Sequence, residues 1–235
     1  MLKFTQIELF LDNTYSLSEQ KIFILKSRSI CNYIERYIVK HDIKAAFKRL
    51  NIHCTRDASM IGVTPLKFEP FLEAREYFDL PTISDLSIGS LQAKFLEIII
   101  AGLKSANIYS SVDESFFDEL FADIAVNNFI NKWVHKDKYW KRWDCRCVIE
   151  AELTVDEFLI NQYVYLKGKL VTKFCIATSM PREAIFSEYL GDLTISSEGI
   201  LYYRNKTKVL SEYNLQKVSN KASQKVSSKK GARVN

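Results

Sequence analysis

The residues from Trp143 to Val155 alternate between apolar and polar side chains, and this pattern constrains the fold more than any other stretch. The odd positions read Trp, Cys, Cys, Ile, Ala, Leu and Val, whereas the even positions read Asp, Arg, Val, Glu, Glu and Thr. A period of two residues with one apolar face is typical of a half-buried β-strand. The stretch is longer than most strands, so we expect a bulge or a bend within it.

The same alternation decides how the Cys-x-Cys pair is interpreted. Cys145 and Cys147 share a strand face with Trp143 and Ile149, which predicts that both thiols are buried in the core. A structural zinc site usually needs a tight cysteine knuckle and a second ligand pair, and the other three cysteines of this chain are scattered. We therefore predict no metal and no cofactor. An odd number of scattered cysteines is also unlike a disulfide framework and indicates a reducing cytoplasm.

Before Trp143 the sequence predicts a strand and then mostly helices. The strand covers residues 2–11, and the capping-box sequence "SLSE" at residues 16–19 opens a helix that runs to about Lys40. A shorter helix is expected over residues 43–50. Three of the four prolines fall within residues 52–86, which predicts loops with one short helix.

Two more helices are predicted in this part. An amphipathic helix starts near Leu86, and a second capping box, "SVDE" at residues 111–114, opens a helix that reaches Trp133. Asn127, Asn128 and Asn131 form a polar cluster late in that helix, either facing solvent or making hydrogen bonds between packed helices, with a role in an interface as a further alternative.

After the alternating strand the sequence predicts an antiparallel meander. Residues 158–166 and 170–178 form a hairpin around "KGK", a short helix covers residues 182–190, and "LTIS" and "ILYYR" form another hairpin around "SEG". The fold class is therefore α+β, with a mostly helical N-terminal part, an antiparallel β-meander and one late helix. We expect a single domain over residues 1–213, with a helical part at about 14–140 and a sheet part at about 143–210, followed by a disordered basic tail at 214–235.

Composition excludes several classes of function. Glycine occurs only 7 times in 235 residues, and no glycine cluster is present to cradle a phosphate. The net charge of +5 comes from residues 217–235, which contain six basic residues and no acid, so the preceding part is nearly neutral. The N-terminus lacks the pattern of a signal peptide, and the longest apolar stretch is interrupted by charges. These features predict a cytoplasmic protein that does not bind a membrane.

Nothing in the sequence predicts catalysis. His53 and Cys54 are adjacent, but neighbours on a strand point to opposite faces, and neither a Gly-x-Ser-x-Gly elbow nor a His-Glu-x-x-His helix occurs. We predict no catalytic residue.

The basic and aromatic segment at residues 132–147 is the candidate binding site. We select Lys136, Lys138, Trp140, Lys141 and Arg142 as partner-binding residues, because aromatic and cationic side chains on an exposed connection suit a protein hot spot. The same residues could stack bases and neutralise phosphates, or they could form cation–π contacts without a function.

The layout of an aromatic helix around "NNFINKW", a Trp-headed strand, a meander and the segment "SMPREAIFSEYLGDL" resembles bacterial immunity proteins over about residues 86–206. This resemblance implies a non-enzymatic inhibitor that neutralises a cognate toxin domain by direct protein–protein binding. The near-neutral body departs from the acidic character of many immunity proteins against nucleases. The alternative is a nucleic-acid-binding accessory protein that uses residues 132–146 and the basic tail.

Overall fold

The computed structural model describes residues 1–65, 70–78, 85–106 and 114–216. Helices and several sheets, mostly antiparallel, confirm the α+β class. The chain divides into two compact units. The first unit contains Met1–Asn131 and Leu153–Asp156, and the second contains Lys132–Glu152 and Glu157–Asn235. The expectation of a single domain stays a prediction, since two compact units can belong to one domain or to two.

The first unit is built on a mostly parallel sheet. Its strands are β1 (Leu2–Lys3), β2 (Gln6–Leu11), β3 (Lys44–Ala45), β4 (Arg49–Thr55), β5 (Gly62–Pro65) and β6 (Phe71–Tyr77). The main sheet has the order β2-β4-β6-β5, in which β2, β4 and β6 are parallel and β5 is antiparallel. Strands β1 and β3 form a separate antiparallel pair.

Three helices complete the first unit: α1 (Leu17–Lys40), α2 (Ile88–Ala106) and α3 (Glu114–Val126). Ser16 caps α1, and the reciprocal bonds between Ser16 and Glu19 confirm the predicted capping box. The buried face of α2 also agrees with the predicted apolar stripe. It consists of Leu91, Phe95, Ile98, Ile99, Gly102, Leu103 and Ala106. Most of the predicted "SVDE" box lies outside the described residues.

Helix α1 also closes the free edge of the sheet. Strand β2 is an edge strand, and the backbone of Ile7 bonds to an ion pair of α1 instead of another strand. Ile7 N donates to Glu35 Oε1 at 3.0 Å, Arg28 Nη1 donates to Ile7 O at 3.2 Å, and Arg28 Nη2 lies 2.9 Å from Glu35 Oε2. At Ile7 the backbone of this edge strand is thus occupied by side chains of α1 and is not open to another strand.

Three sequence predictions for the first unit were wrong. Residues 43–50 do not form a helix, because they contain β3 and the start of β4. Residues 52–86 were expected to be loops with one short helix, yet besides a 3₁₀ turn at Ala58–Met60 they contain most of β4, all of β5 and all of β6. The helix that was expected to reach Trp133 ends at Val126, where Asn128 and Phe129 take positive φ values and turn the chain into a strand.

The second unit contains two antiparallel sheets. The first has the order β10-β9-β8-β7 and is built from β7 (Asn131–Trp140), β8 (Cys145–Leu153), β9 (Phe158–Leu166) and β10 (Lys169–Ser179). The second has the order β11-β12-β13, formed by β11 (Asp192–Ile195), β12 (Ile200–Arg204) and β13 (Val209–Asn214). Ser211 on β13 donates to the buried Gln162 on β9, which places the buried faces of the two sheets against each other.

Most sequence predictions for this part are confirmed. The alternating strand begins at Cys145, after a short 3₁₀ turn at Lys141–Trp143, and the two predicted hairpins form. Gly168 and Gly199 have positive φ values of 73° and 77° in the two hairpin turns. The late helix is shorter than predicted, since α4 covers only Glu183–Phe186 before a 3₁₀ turn. Asn214 ends β13, so the fold continues past residue 213, and the basic tail from residue 217 lies outside the described residues.

Candidate partner-binding site

The five residues predicted from the sequence lie on β7 and in the turn that follows it, not in a connection between a helix and a strand. Lys138 Nζ lies 2.8 Å from Asp192 Oδ1 and donates to Leu193 O at 2.9 Å, while Lys136 Nζ lies 3.7 Å from the same carboxylate. The ammonium of Lys138, followed by the backbone N–H of Leu193, lowers the pKa of Asp192. Both lysines are therefore engaged with β11 rather than directed freely to solvent, and their partner-binding role stays a prediction.

The other three predicted residues surround the 3₁₀ turn. Trp140 is half-buried at the end of β7, whereas Lys141 and Arg142 are exposed in the turn. The guanidinium of Arg142 lies 5.2 Å from the centre of the Trp143 ring, a cation–π contact. The structure thus brings Trp140, Lys141 and Arg142 together at the tip of the β7–β8 hairpin.

The tip of the β7–β8 hairpin is fixed by contacts with two neighbouring turns. A Cβ on Gly199 would come within 2.7 Å of Trp143 Cη2, so the ring of Trp143 lies directly on the backbone of the β11–β12 turn. Asp144 adopts a left-handed conformation and accepts a hydrogen bond from Tyr139 Oη at 2.9 Å. Its carbonyl also accepts from Lys167 N at 2.9 Å, which joins this tip to the β9–β10 turn. Such pre-organisation reduces the entropy lost when a partner binds.

Sequence reasoning missed a second group of residues, on the outward face of the four-stranded sheet. We call it the tyrosine face; it consists of Tyr139, Arg146, Tyr163, Tyr165 and Lys173. The guanidinium of Arg146 lies 5.8 Å from the Tyr165 ring centre, and Lys173 Nζ lies 5.1 Å from that of Tyr163. Tyr139 is 60% exposed, and Tyr163 and Tyr165 are half-buried.

Most of the charges around the tyrosine face are paired. Arg146 makes a two-pronged contact with Asp137 through Nε at 2.8 Å and Nη2 at 2.5 Å. Glu150 accepts from Tyr163 Oη at 2.8 Å and pairs with Lys132 Nζ at 2.8 Å. These pairs are exposed or half-exposed, so each contributes little to stability. Their effect is to make the face a mosaic of both charge signs around three rings.

A signal for this face was present in the sequence. In "FLINQYVYL", the strand β9, the even positions from Phe158 to Val164 are buried, and the odd positions carry the two tyrosines outward. The period that identifies the strand therefore also identifies Tyr163 and Tyr165 as outward residues.

The prediction that the thiols of Cys145 and Cys147 are buried is confirmed. Cys145 and Cys147 have no exposed surface, and burial raises the pKa of the two thiols to about 11 and about 12. Within the described part of the chain, no group of three or more His, Cys, Asp or Glu side chains is arranged to hold a metal ion. Thiols with such high pKa values are poor nucleophiles and poor metal ligands at neutral pH.

The polar residues singled out from the sequence have structural contacts. His135 Nε2 donates to Gly191 O at 3.0 Å, and burial lowers the pKa of His135. Asn131 is buried in the first unit, where Nδ2 donates to Ser29 O at 2.6 Å and Oδ1 accepts from Arg36 Nη2 at 2.5 Å. Asn127 donates to Tyr33 Oη at 3.1 Å, so two of the three asparagines make packing hydrogen bonds.

Comparison with known proteins gave no match among family models, curated sequences or solved structures. Among the described helices, none has both the length and the apolar character that a membrane span requires.

Proposed function

We propose that this chain is a cytoplasmic, non-enzymatic protein of the immunity kind, which neutralises a cognate bacterial toxin domain by direct binding through the tyrosine face. The observation that carries the proposal is the set of three tyrosines and Arg146 on one outward sheet face. Tyrosine and arginine are enriched in the residues that dominate protein–protein affinity. Tyrosine supplies a large contact area with only two χ angles, and arginine supplies a planar guanidinium with several N–H donors.

The pairing of charges supports a protein partner over a polyanion at this face. Arg146 and Lys132 are already compensated by Asp137 and Glu150, so carboxylates lie among the cations of this face. A partner surface with its own mixture of donors and acceptors would complement such a mosaic, whereas a phosphate backbone would meet carboxylates as well as cations.

The backbone of the sheet supports the same use. The outward side chains lie on hydrogen-bonded neighbouring strands, and sites on strands are held more precisely than sites on loops.

The test is affinity capture from the native host with the purified chain as bait, followed by native mass spectrometry of the eluted complex. We expect a one-to-one complex with a toxin domain, and expect the chain to relieve that domain's toxicity on co-expression. The double substitution Tyr163→Ala and Tyr165→Ala should weaken the complex by at least about 2 kcal/mol, or about 30-fold.

Tyr77→Ala is the matched control, because Tyr77 is an exposed tyrosine on a strand of the first unit. It should leave the complex intact. Recovery of no stoichiometric partner, or equal affinity of the double variant and the control, would refute the proposal.

A further inference from the structure

The two hairpin turns at one end of the second unit carry a concentration of cations that the toxin proposal does not use. We call it the basic end; it consists of Lys141 and Arg142 in the β7–β8 turn and Lys167 and Lys169 at the β9–β10 turn. All four side chains are exposed. Within the part of the chain that the structure describes, none of them makes an ion pair.

The two turns are neighbours in space. Lys167 N donates to the carbonyl of Asp144 at 2.9 Å, and this bond fixes one turn against the other. Lys167 and Asp144 both have positive φ values, 50° and 43°, and Gly168 follows with 73°, so both turns are tight. The four cations therefore lie on a fixed backbone, although each side chain can move.

The acids of this end are fewer than the cations. Asp144 accepts the hydroxyl of Tyr139, and Glu198 lies in the β11–β12 turn, whose Gly199 supports the Trp143 ring. The cations farther from the tip of the β7–β8 hairpin differ, because Lys132, Lys138 and Arg146 all have carboxylate partners.

The chain leaves the described fold at the same end. Leu215 N donates to Gly199 O at 3.1 Å, which places the last described residues beside the turn under Trp143. Residues 217–235 then add six basic side chains and no acid. Residues 1–216 carry the remaining 27 basic and 28 acidic side chains, so the net positive charge of the sequence comes from residues 217–235.

We propose that the basic end binds single-stranded nucleic acid, with Lys141, Arg142, Lys167 and Lys169 on successive phosphates. Unpaired cations on adjacent turns suit a linear polyanion, because each contact displaces condensed counterions. Two rings at this end favour a nucleic acid over an acidic protein. Tyr139 is 60% exposed beside Asp144, and Arg142 lies over Trp143, which offers unpaired bases an aromatic and guanidinium surface for stacking.

The experiment uses the full chain and fluorescein-labelled oligouridylate and oligothymidylate of about 20 nucleotides, with fluorescence anisotropy as the readout. Affinity should fall by about 50-fold between about 50 mM and about 200 mM salt if these four cations each contact one phosphate. The RNA and DNA arms show which strand is preferred.

The decisive variant combines Lys141→Gln, Arg142→Gln, Lys167→Asn and Lys169→Gln. Its matched control removes four exposed lysines of the first unit, Lys21→Gln, Lys40→Gln, Lys48→Gln and Lys104→Gln, so that both proteins lose the same net charge. The slope of log K against log salt should decrease by about 2 to 3 in the basic-end variant, since each lost phosphate contact lowers it by about 0.7. The control should keep most of the slope.

Three results would overturn the proposal: no binding of either oligonucleotide, equal losses in the two variants, or binding of polyglutamate as tight as that of the oligonucleotides. The last result would indicate an acidic protein as the partner. Circular dichroism of both variants checks that the fold is retained, which the exposure of all eight side chains leads us to expect.

Discussion

The close approach of α2 to the central strand β4 gives a prediction with a worked magnitude. A Cβ on Gly102 would lie 2.5 Å from Ile52 Cδ1 and 2.6 Å from Ile52 Cγ1, both in the core of the first unit. Gly102→Ala gains about 1 kcal/mol of helix propensity, but it also overpacks the core, which costs about 1 to 3 kcal/mol. We expect a net loss of about 1 kcal/mol in the free energy of unfolding.

The sign should reverse when the opposing side chain is shortened. Ile52→Ala alone costs about 2 to 5 kcal/mol, and it removes all three atoms that crowd the new methyl group. In that background Gly102→Ala should stabilise by about 1 kcal/mol, because only the propensity term remains. The coupling energy between the two positions is then about 2 kcal/mol, within the range measured for residues in contact.

Urea unfolding followed by far-UV circular dichroism measures the four proteins of this cycle. Tryptophan fluorescence provides a separate readout of the second unit, since Trp133, Trp140 and Trp143 all belong to it. If Gly102→Ala stabilises the wild-type chain and the Ile52→Ala variant equally, the two positions are not in contact and the packing of α2 on β4 is wrong.

Four further predictions concern the rest of the molecule. A thiol reagent should modify one cysteine in the native protein and all five in denaturant, since Cys175 is exposed and the other four are buried. Cys175→Ser should therefore abolish the reaction of the native protein. Fast modification of a second thiol would contradict this. Ser16→Ala should cost about 1 kcal/mol in urea unfolding through loss of the α1 cap, and retention of full stability would show that the cap contributes nothing. Glu35→Ala should cost about 3 kcal/mol, because the buried Arg28 loses its carboxylate, and a loss similar to that of Ser16→Ala would show that the pair is solvated. Burial lowers the pKa of His53, so the unfolded chain takes up this proton first as the pH falls below about 6.5, and stability should decrease there. His53→Gln should flatten that decrease, and an unchanged pH profile would contradict the assignment.

The second unit was the easier part to predict because its signals are local. The hairpins around Gly168 and Gly199 combine alternation with a turn residue that can take a positive φ, and both features are visible within a few residues. The edge strand β7 was not predicted, because its burial pattern is irregular. In β7 the half-buried positions shift from odd to even between His135 and Lys136, which breaks the two-residue period that would have marked the strand.

The first unit was harder because non-local pairing decides its strands. Ile43, Phe47 and Leu50 have near-helical spacing, yet Leu50 and the following residues pair in parallel with β2 and β6. Partners far apart in the sequence override so weak a local pattern. The prolines were also misleading. Pro65 ends the edge strand β5 and Pro70 precedes β6, which are positions where proline is tolerated beside a sheet.

The candidate binding surfaces show the same difference between local signals and contacts that are distant in the sequence. Sequence spacing located the basic and aromatic hairpin, but it could not show which cations have partners, because Asp192 and Glu150 lie on other strands. The pairing of most charges separates the tyrosine face from the basic end, although both contain arginine and lysine and Tyr139 of the tyrosine face lies beside the basic end.

This difference makes the two proposed activities separable in one molecule. Paired charges such as Arg146 and Asp137 release few counterions when a protein covers them, so a complex at the tyrosine face should depend weakly on salt. Unpaired cations at the basic end displace counterions from each phosphate, so nucleic acid should dissociate as salt rises. Raising the salt concentration should therefore release an oligonucleotide while a bound toxin domain stays in place. The double substitution Tyr163→Ala and Tyr165→Ala should instead weaken binding of the toxin domain and leave binding of the oligonucleotide unchanged. If one salt step or one set of substitutions removes both ligands together, the two surfaces act as a single site.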